Sequence, residues 1–238
     1  MALAEAQYQD IEIPLSEPVH GLESVKGVLG IPEWWPTGSR ISVVLGQSQA
    51  GDDPLMESLQ RSLTERKFLT LRFCFPYQQA GKKKPDDPRI LQRTFHSAVN
   101  LLGRDPTAAP AHVFIGGKNV GATAAAHAAT ARLRIEGIFF LGFPLHKQDN
   151  TDDIRADRLW RVINPMLFLQ GNKDRHCDLP TLRATLARVG APVQLHVIDE
   201  ADHTLKVAKK SGRTAEEVEA EVFATLEAWI VKTLGDAA

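Results

Sequence analysis

His112-Val113-Phe114-Ile115-Gly116-Gly117-Lys118-Asn119-Val120-Gly121 is the stretch that decides the fold. It opens as an apolar run of strand character. Gly117-Lys118-Asn119-Val120-Gly121 then has the spacing of a nucleophile elbow, in which a strand enters a tight Gly-x-nucleophile-x-Gly turn and a helix follows. At the centre stands Asn119, an amide. Its nitrogen lone pair is delocalised, its oxygen is a poor nucleophile, and no base can make an alkoxide of it. The segment keeps the scaffold of a reactive turn without the attacking atom.

Outward from this turn, apolar runs alternate with helical periodicity, the pattern of an α/β fold with a largely parallel sheet. Core strands are expected at 41–46, 68–73, 112–116, 137–142, 166–170 and 193–198. They are nearly continuous apolar runs, as strands covered on both faces require. Two further strands, at 8–13 and 20–31, form an antiparallel lead-in, closed by the turn residues Pro32, Pro36 and Gly38. Leu55, Met56, Leu59 and Leu63 share one helical face, as do Leu91, Phe95, Ala98 and Leu102. Asp178 is placed to cap a helix with Pro180 in its first turn. Thr214 and Glu217 have capping-box spacing ahead of the stripe Val218, Val222, Leu226, Trp229 and Ile230.

A chain of 238 residues accommodates one large domain, 1–238, with a sizeable core. The formal net charge of −1, with both signs interspersed, argues against nucleic-acid and membrane-surface partners. The start lacks a basic segment followed by an apolar core, and no apolar stretch is long enough to span a bilayer. Cys74 and Cys177 make neither a disulfide framework nor a metal spacing. These features predict a soluble cytoplasmic protein without cofactor or metal. The short segment between the strands ending near Gly142 and beginning after Pro165 leaves little room for a lid.

Three positions follow the carboxyl ends of successive strands: Asn119, Asp174 in Gly171-Asn172-Lys173-Asp174, and His203 in Asp199-Glu200-Ala201-Asp202-His203. The chain order is nucleophile position, acid, histidine. In such a site the histidine takes the nucleophile's proton and the carboxylate orients it. Ligands of open α/β sheets bind outside these strand ends.

With these residues in place, the chain resembles the α/β-hydrolase family, and within it dienelactone-hydrolase-like proteins, including hydrolase-like domains in subunits of larger assemblies. The resemblance is carried by Leu71-Arg72-Phe73-Cys74-Phe75-Pro76-Tyr77, Phe114-Ile115-Gly116-Gly117-Lys118, Phe140-Leu141-Gly142-Phe143-Pro144-Leu145-His146, Leu169-Gln170-Gly171-Asn172-Lys173-Asp174 and Ala201-Asp202-His203. It covers most of the chain from about Ile41 to the last helix. It implies an eight-stranded, mostly parallel sheet flanked by helices, without a sizeable lid, and gives Asp174 and His203 the roles of acid and base.

The family's elbow reads Gly-Lys-Ser-Met-Gly-Gly. Here Asn119 stands for the serine, and Ala122 for the glycine after Gly121. The loop after the first core strand, His-Gly-x-Gly in the family, reads Gly46-Gln47-Ser48-Gln49-Ala50-Gly51. The expected oxyanion donors are therefore Gln47, in an altered loop, and the N–H of Val120.

Each residue has a plainer reading. Asn is among the few non-glycine residues that tolerate the positive φ of an elbow, so Asn119 can serve geometry alone. Its deamidation to Asp would create a carboxylate nucleophile, although bulky Val120 slows cyclisation. His203 can be a packed loop histidine and Asp174 a loop cap. Ser48 is a displaced nucleophile only if it reaches His203, and Cys177 only with a lowered thiol pKa. His146, His176, His203, Cys177 and Asp174 lack the paired spacing of a zinc site. Gly116-Gly117-Lys118 lacks the spacing of a phosphate loop. Lys82-Lys83-Lys84 reads as a solvated run, and Trp34-Trp35 as a pair packed at the sheet edge.

Two functional classes follow, with a third, an interaction scaffold, implied by the resemblance and marked by an exposed apolar patch away from the strand ends. The leading one is a hydrolase-fold protein with a degenerate site, catalytically impaired, that binds a small-molecule ligand or a protein partner. The other is a working hydrolase of a small ester, lactone or related carbonyl compound, in which His203 and Asp174 activate water.

Overall fold

The computed structural model describes residues 5–34, 40–47, 53–104, 109–131 and 133–235. Of the positions raised above, Trp35, Pro36, Gly38 and 48–51 lie outside them, and with them Ser48 and the second tryptophan of the pair.

The chain begins with a hairpin, β1 (Gln7–Val19) and β2 (Leu22–Ile31). The second strand was expected from His20. Instead His20 and Gly21, with φ of 55° and 78°, make the two-residue turn, because a turn with both residues at positive φ matches the twist of the flanking strands. Then follow β3 (Ile41–Gly46), α1 (Pro54–Glu65), β4 (Leu69–Phe73), α2 (Pro76–Gln79), α3 (Pro88–Leu102), β5 (His112–Lys118), α4 (Val120–Ala129), β6 (Gly137–Leu141), β7 (Met166–Gly171), α5 (Leu179–Leu186), β8 (Val193–Ile198) and α6 (Ala215–Leu234). Between β6 and β7 the one further element is a short 3₁₀ turn, Leu159–Arg161.

The eight strands form one sheet in the order β1-β2-β4-β3-β5-β6-β7-β8. β1 and β2 pair antiparallel, as do β2 and β4, and every other pair is parallel. All residues of β3, β6 and β7 are buried. Helices cover both faces, so these strands carry apolar side chains in both directions. One apolar layer gathers Leu91, Phe95 and Ala98 of α3 with the alanines of α4 and Leu182 of α5. The other gathers Leu55, Met56, Leu59 and Leu63 of α1 with Val218, Val222, Leu226, Trp229 and Ile230 of α6. These are the stripes read from the sequence.

Both expected caps are present. The Asp178 carboxylate accepts from the N–H of Thr181, and Thr214 and Glu217 form a reciprocal capping box. Trp34 departs from expectation: it is 56% exposed rather than packed, with the Lys67 ammonium 5.6 Å from its ring centroid. That distance allows a cation–π contact.

From β3 the chain goes to β4 on one side and later to β5 on the other, so the strand order reverses between β3 and β5. Such a switch point opens a crevice at the carboxyl ends of the strands. Gly46 at the end of β3 pairs with Gly117 of β5 at this place.

Trp229 joins the second layer to the sheet: it meets Phe114 edge-on at 5.5 Å and fills the space above Gly137. Trp229→Ala should lower the unfolding free energy by about 3–5 kcal/mol. Val231→Ala, at a 49% exposed position of the same helix, should change it by less than about 0.5 kcal/mol. Urea unfolding of both variants checks the contrast.

Candidate active site

The elbow is built by close backbone approach. Asn119 stands alone between β5 and α4 with φ 52° and ψ −109°. Non-glycine residues visit such regions rarely, at a cost of order 1–3 kcal/mol. A Cβ on Gly117 would lie 2.5 Å from the Gly46 carbonyl oxygen, and one on Gly121 only 2.1 Å from it. Both flanking glycines are therefore needed for the turn to sit against β3. The Asn119 N–H donates to the Leu141 carbonyl at 3.2 Å, and its carbonyl accepts from the Thr123 N–H at 3.1 Å. Its side chain makes no capping bond to α4. Ala122 is fully buried, its methyl part of the apolar layer above the sheet.

Lys118 is not a surface lysine. Its ammonium donates to both carboxylate oxygens of Asp53 at 2.8 Å, and the side chains are 6% and 2% exposed. The pair ties the elbow to the start of α1. It was not legible in the sequence, because the partners are 65 residues apart.

Asp174, after β7, has a side chain with no exposed surface. Its Oδ2 accepts from His203 Nδ1 at 2.7 Å and from Gln170 Nε2, and its Oδ1 accepts from the His176 N–H at 2.6 Å. Gln170 is held in turn by the Phe143 N–H, which donates to Oε1 at 2.9 Å. With Asp174 ionised, Nδ1 carries the proton and His203 Nε2 is left as the acceptor. That nitrogen is buried and has no hydrogen-bond partner among the described residues. Gln170 was passed over above. A lone amide ending the apolar run Met166-Leu167-Phe168-Leu169 was its signal, since a buried polar side chain needs partners.

Two more glycines bring the histidine loop down. A Cβ on Gly142, at φ 65°, would lie 2.2 Å from the His203 carbonyl, and one on Gly171 would lie 2.1 Å from that of Ala201. The His176 ring lies 4.5 Å from that of His203. Burial and the neighbouring His203 push the pKa of His176 down. His146 has both ring nitrogens engaged: Nδ1 with the Lys147 carbonyl at 2.7 Å, and Nε2 with the Asp178 N–H at 2.9 Å.

One expectation needs correction. The Gln47 backbone N–H is spent within the sheet, donated to the Phe73 carbonyl at 3.0 Å, so it is not a free oxyanion donor. The Gln47 side chain is buried, its Nε2 without a partner among the described residues. Val120, in contrast, opens α4, where an N–H has no carbonyl of its own helix to bond. Cys177 fails as a nucleophile: it is 1% exposed, and burial, reinforced by the charge of Asp174, pushes its thiol pKa up.

Asn119 lies where two cavities meet. One, of about 590 Å³, runs toward α6 past Leu55, Lys118, Leu205, Lys206 and Val218. The other, of about 400 Å³, is lined by Leu91, Val120, Pro144, His146 and His176. Larger clefts of about 760 and 610 Å³ contain neither Asn119, Asp174 nor His203. Chemistry rather than size singles out the elbow.

Residues 42–231 match the family model described as an alpha/beta hydrolase domain. The chain belongs to that family. Its structure is similar to a dienelactone hydrolase from Anabaena variabilis, with 18% identity, a TM-score of 0.71 and coverage of 94% of this chain and 97% of the other. It is similar to an esterase domain from Rhodothermus marinus at 15% identity, TM-score 0.68, over 94% and 97% of the chains. A lidless α/β serine hydrolase from Xanthomonas campestris matches at 15% identity, TM-score 0.66, over 94% and 95%. At these identities the likeness concerns the fold. Among the described residues, no helix is long and apolar enough to cross a membrane.

Lys118→Met leaves the buried Asp53 carboxylate without its lysine and should destabilise the protein by about 3–5 kcal/mol. Thermal unfolding measures this, and a loss below about 1 kcal/mol would mean a solvated pair. A thiol reagent should label Cys74 in the folded protein and reach Cys177 only after unfolding, as peptide mapping would show.

Proposed function

We propose that this member of the family has Asn119 where the nucleophilic serine belongs, so that it is catalytically impaired and binds a small molecule at the strand ends. The observation that carries the reading is the pairing of an amide at the elbow with an otherwise assembled acid–base couple. Asp174 holds His203 by a hydrogen bond and Asn119 sits in a positive-φ turn, features that support the reading of an acid, a base and a nucleophile position, but the side chain at the turn cannot attack a carbonyl. The two cavities meeting at Asn119 offer space on either side of a bound carbonyl group. Exposed Lys206 and Lys209 rim the larger one, whose apolar wall includes Leu55, Leu205 and Val218. That lining suits a compact apolar ligand carrying a carboxylate or another polar acceptor. The two unbridged cysteines suit a reducing cytoplasm.

A second reading is favoured by His203 Nε2, a buried acceptor without a partner among the described residues. A water bonded there could be deprotonated and attack an ester or lactone polarised by the Val120 N–H.

Hydrolysis of short p-nitrophenyl esters by the native protein, Asn119→Ser and Asn119→Ser/His203→Ala decides between them. The native protein should not exceed the buffer rate. Serine should raise the rate by roughly 10³-fold or more, and the double variant should lose that gain. A native rate that disappears in His203→Ala alone would establish the water-activating enzyme instead. A silent Asn119→Ser protein would mean that more than the nucleophile has been lost.

A further inference from the structure

The backbone at the elbow does more than expose a side chain. For an L-residue with ψ of −109°, the amide nitrogen of the next residue nearly eclipses the Cα–Cβ bond. Helical and extended residues, with ψ near −42° or +135°, hold that nitrogen well away from Cβ. At Asn119 the Val120 nitrogen is therefore already on the side-chain face, and rotation about χ1 alone swings Cγ onto it. That is the geometry of five-membered ring closure between an asparagine side chain and the following amide.

Three further features remove the usual obstacles. No capping hydrogen bond to α4 holds the Asn119 side chain. The Val120 N–H is at the first position of α4, so no helical bond must break for it to lose its proton. A basic nitrogen without a hydrogen-bond partner among the described residues, His203 Nε2, belongs to the loop whose backbone packs onto Gly142, next to the Leu141 carbonyl that the Asn119 N–H bonds. The bulk of Val120 slows ring closure in a flexible chain, where the reactive conformation must be searched for. Here the turn has made the search.

We propose that Asn119 is a self-modification site, converted in the folded protein to aspartate through a succinimide with Val120. The Val120 nitrogen forms a bond to Asn119 Cγ, the Cγ–Nδ2 bond breaks, and ammonia leaves. Water then adds to Cγ and the ring C–N bond breaks, restoring the Val120 N–H. The net reaction consumes one water, releases one ammonia and involves no redox change. The product places a carboxylate, which is a nucleophile, beside the Asp174–His203 couple. Its functional weight rests on the reading that Asn119 occupies the nucleophile's position, so the modification would determine whether this site has a nucleophile at all. The conversion itself is read by mass, independently of any esterase rate.

The test is peptide mass spectrometry of the native chain incubated in ¹⁸O water at mildly alkaline pH, folded and in urea. Asn100 in α3, Asn172, held by Asp199 and by the Glu200 N–H, and Asn164, whose neighbour Pro165 has no N–H, are internal controls. Amide-to-acid conversion with one ¹⁸O should appear at Asn119 first, on the order of tenfold faster in the folded than in the unfolded chain. Hydroxylamine added during incubation should cut the chain between Asn119 and Val120, the mark of the ring. Conversion no faster in the folded chain, or no faster than at Asn100 and Asn172, would overturn the proposal. So would conversion without hydroxylamine-sensitive scission.

Discussion

Backbone against backbone, where β3 ends and α4 begins, is the contact on which the site depends. The Gly46 carbonyl occupies the space that a Cβ of Gly117 or Gly121 would need. Only because that space is empty can α4 start directly at the switch point of the sheet. A side chain there would lift α4, pull Lys118 from Asp53 and move Asn119 out of the neck between the cavities. The opposite wall uses the same device, with Gly142 and Gly171 under the backbones of His203 and Ala201. The 2.7 Å between His203 and Asp174 is thus fixed by main-chain packing before side-chain chemistry begins.

Within that frame the polar groups are unequally satisfied. A buried carboxylate is costly unless hydrogen-bonded, and Asp174 has three donors, two from side chains and one from the backbone. Gln170 uses its amide in both directions, accepting from Phe143 and donating to Asp174. The couple ends on His203 Nε2, which has no partner among the described residues. An unmet buried polar atom costs on the order of 1–3 kcal/mol. Nothing in the core gains from leaving it so, whereas a ligand hydroxyl or a water would relieve the deficit. The acid is thus fully supported by the fold, while the base is supported on one ring nitrogen only.

Much of this was legible in the sequence because it is local. The strand at 41–46 and that at 193–198 begin and end where the apolar runs do. The stripes of α1 and α6 are periodic, and the caps at Asp178 and Thr214 act across three residues. Even the placing of Asn119, Asp174 and His203 at strand ends needs only strand positions and chain order. Long-range pairings were hidden. Lys118 had no assigned partner in the sequence, since Asp53 is brought to it only by the fold. The Gln47 N–H could be counted as a donor until β4 was seen to take it. Trp34 was assigned to packing on composition, but the hairpin leaves it outside, against Lys67. Hydrophobicity states what prefers burial; it does not say which surface the fold has space to cover.

The elbow also restricts how its chemistry could change. A residue with φ of 52° between two glycines cannot be β-branched without strain, and a glycine would empty the neck between the cavities. Asparagine satisfies both demands, since it tolerates positive φ and presents a polar group of moderate size. It keeps the turn in register between β5 and α4, with the Lys118–Asp53 pair in place beside it. A scaffold of this kind can separate geometry from reactivity: every constraint on the backbone is met by a side chain that cannot attack a carbonyl. The same ψ that aims a side chain into the site sets the following amide nitrogen beside it. An asparagine here therefore shares the chemical exposure of the position it fills, and its inertness is a property of the amide rather than of the site.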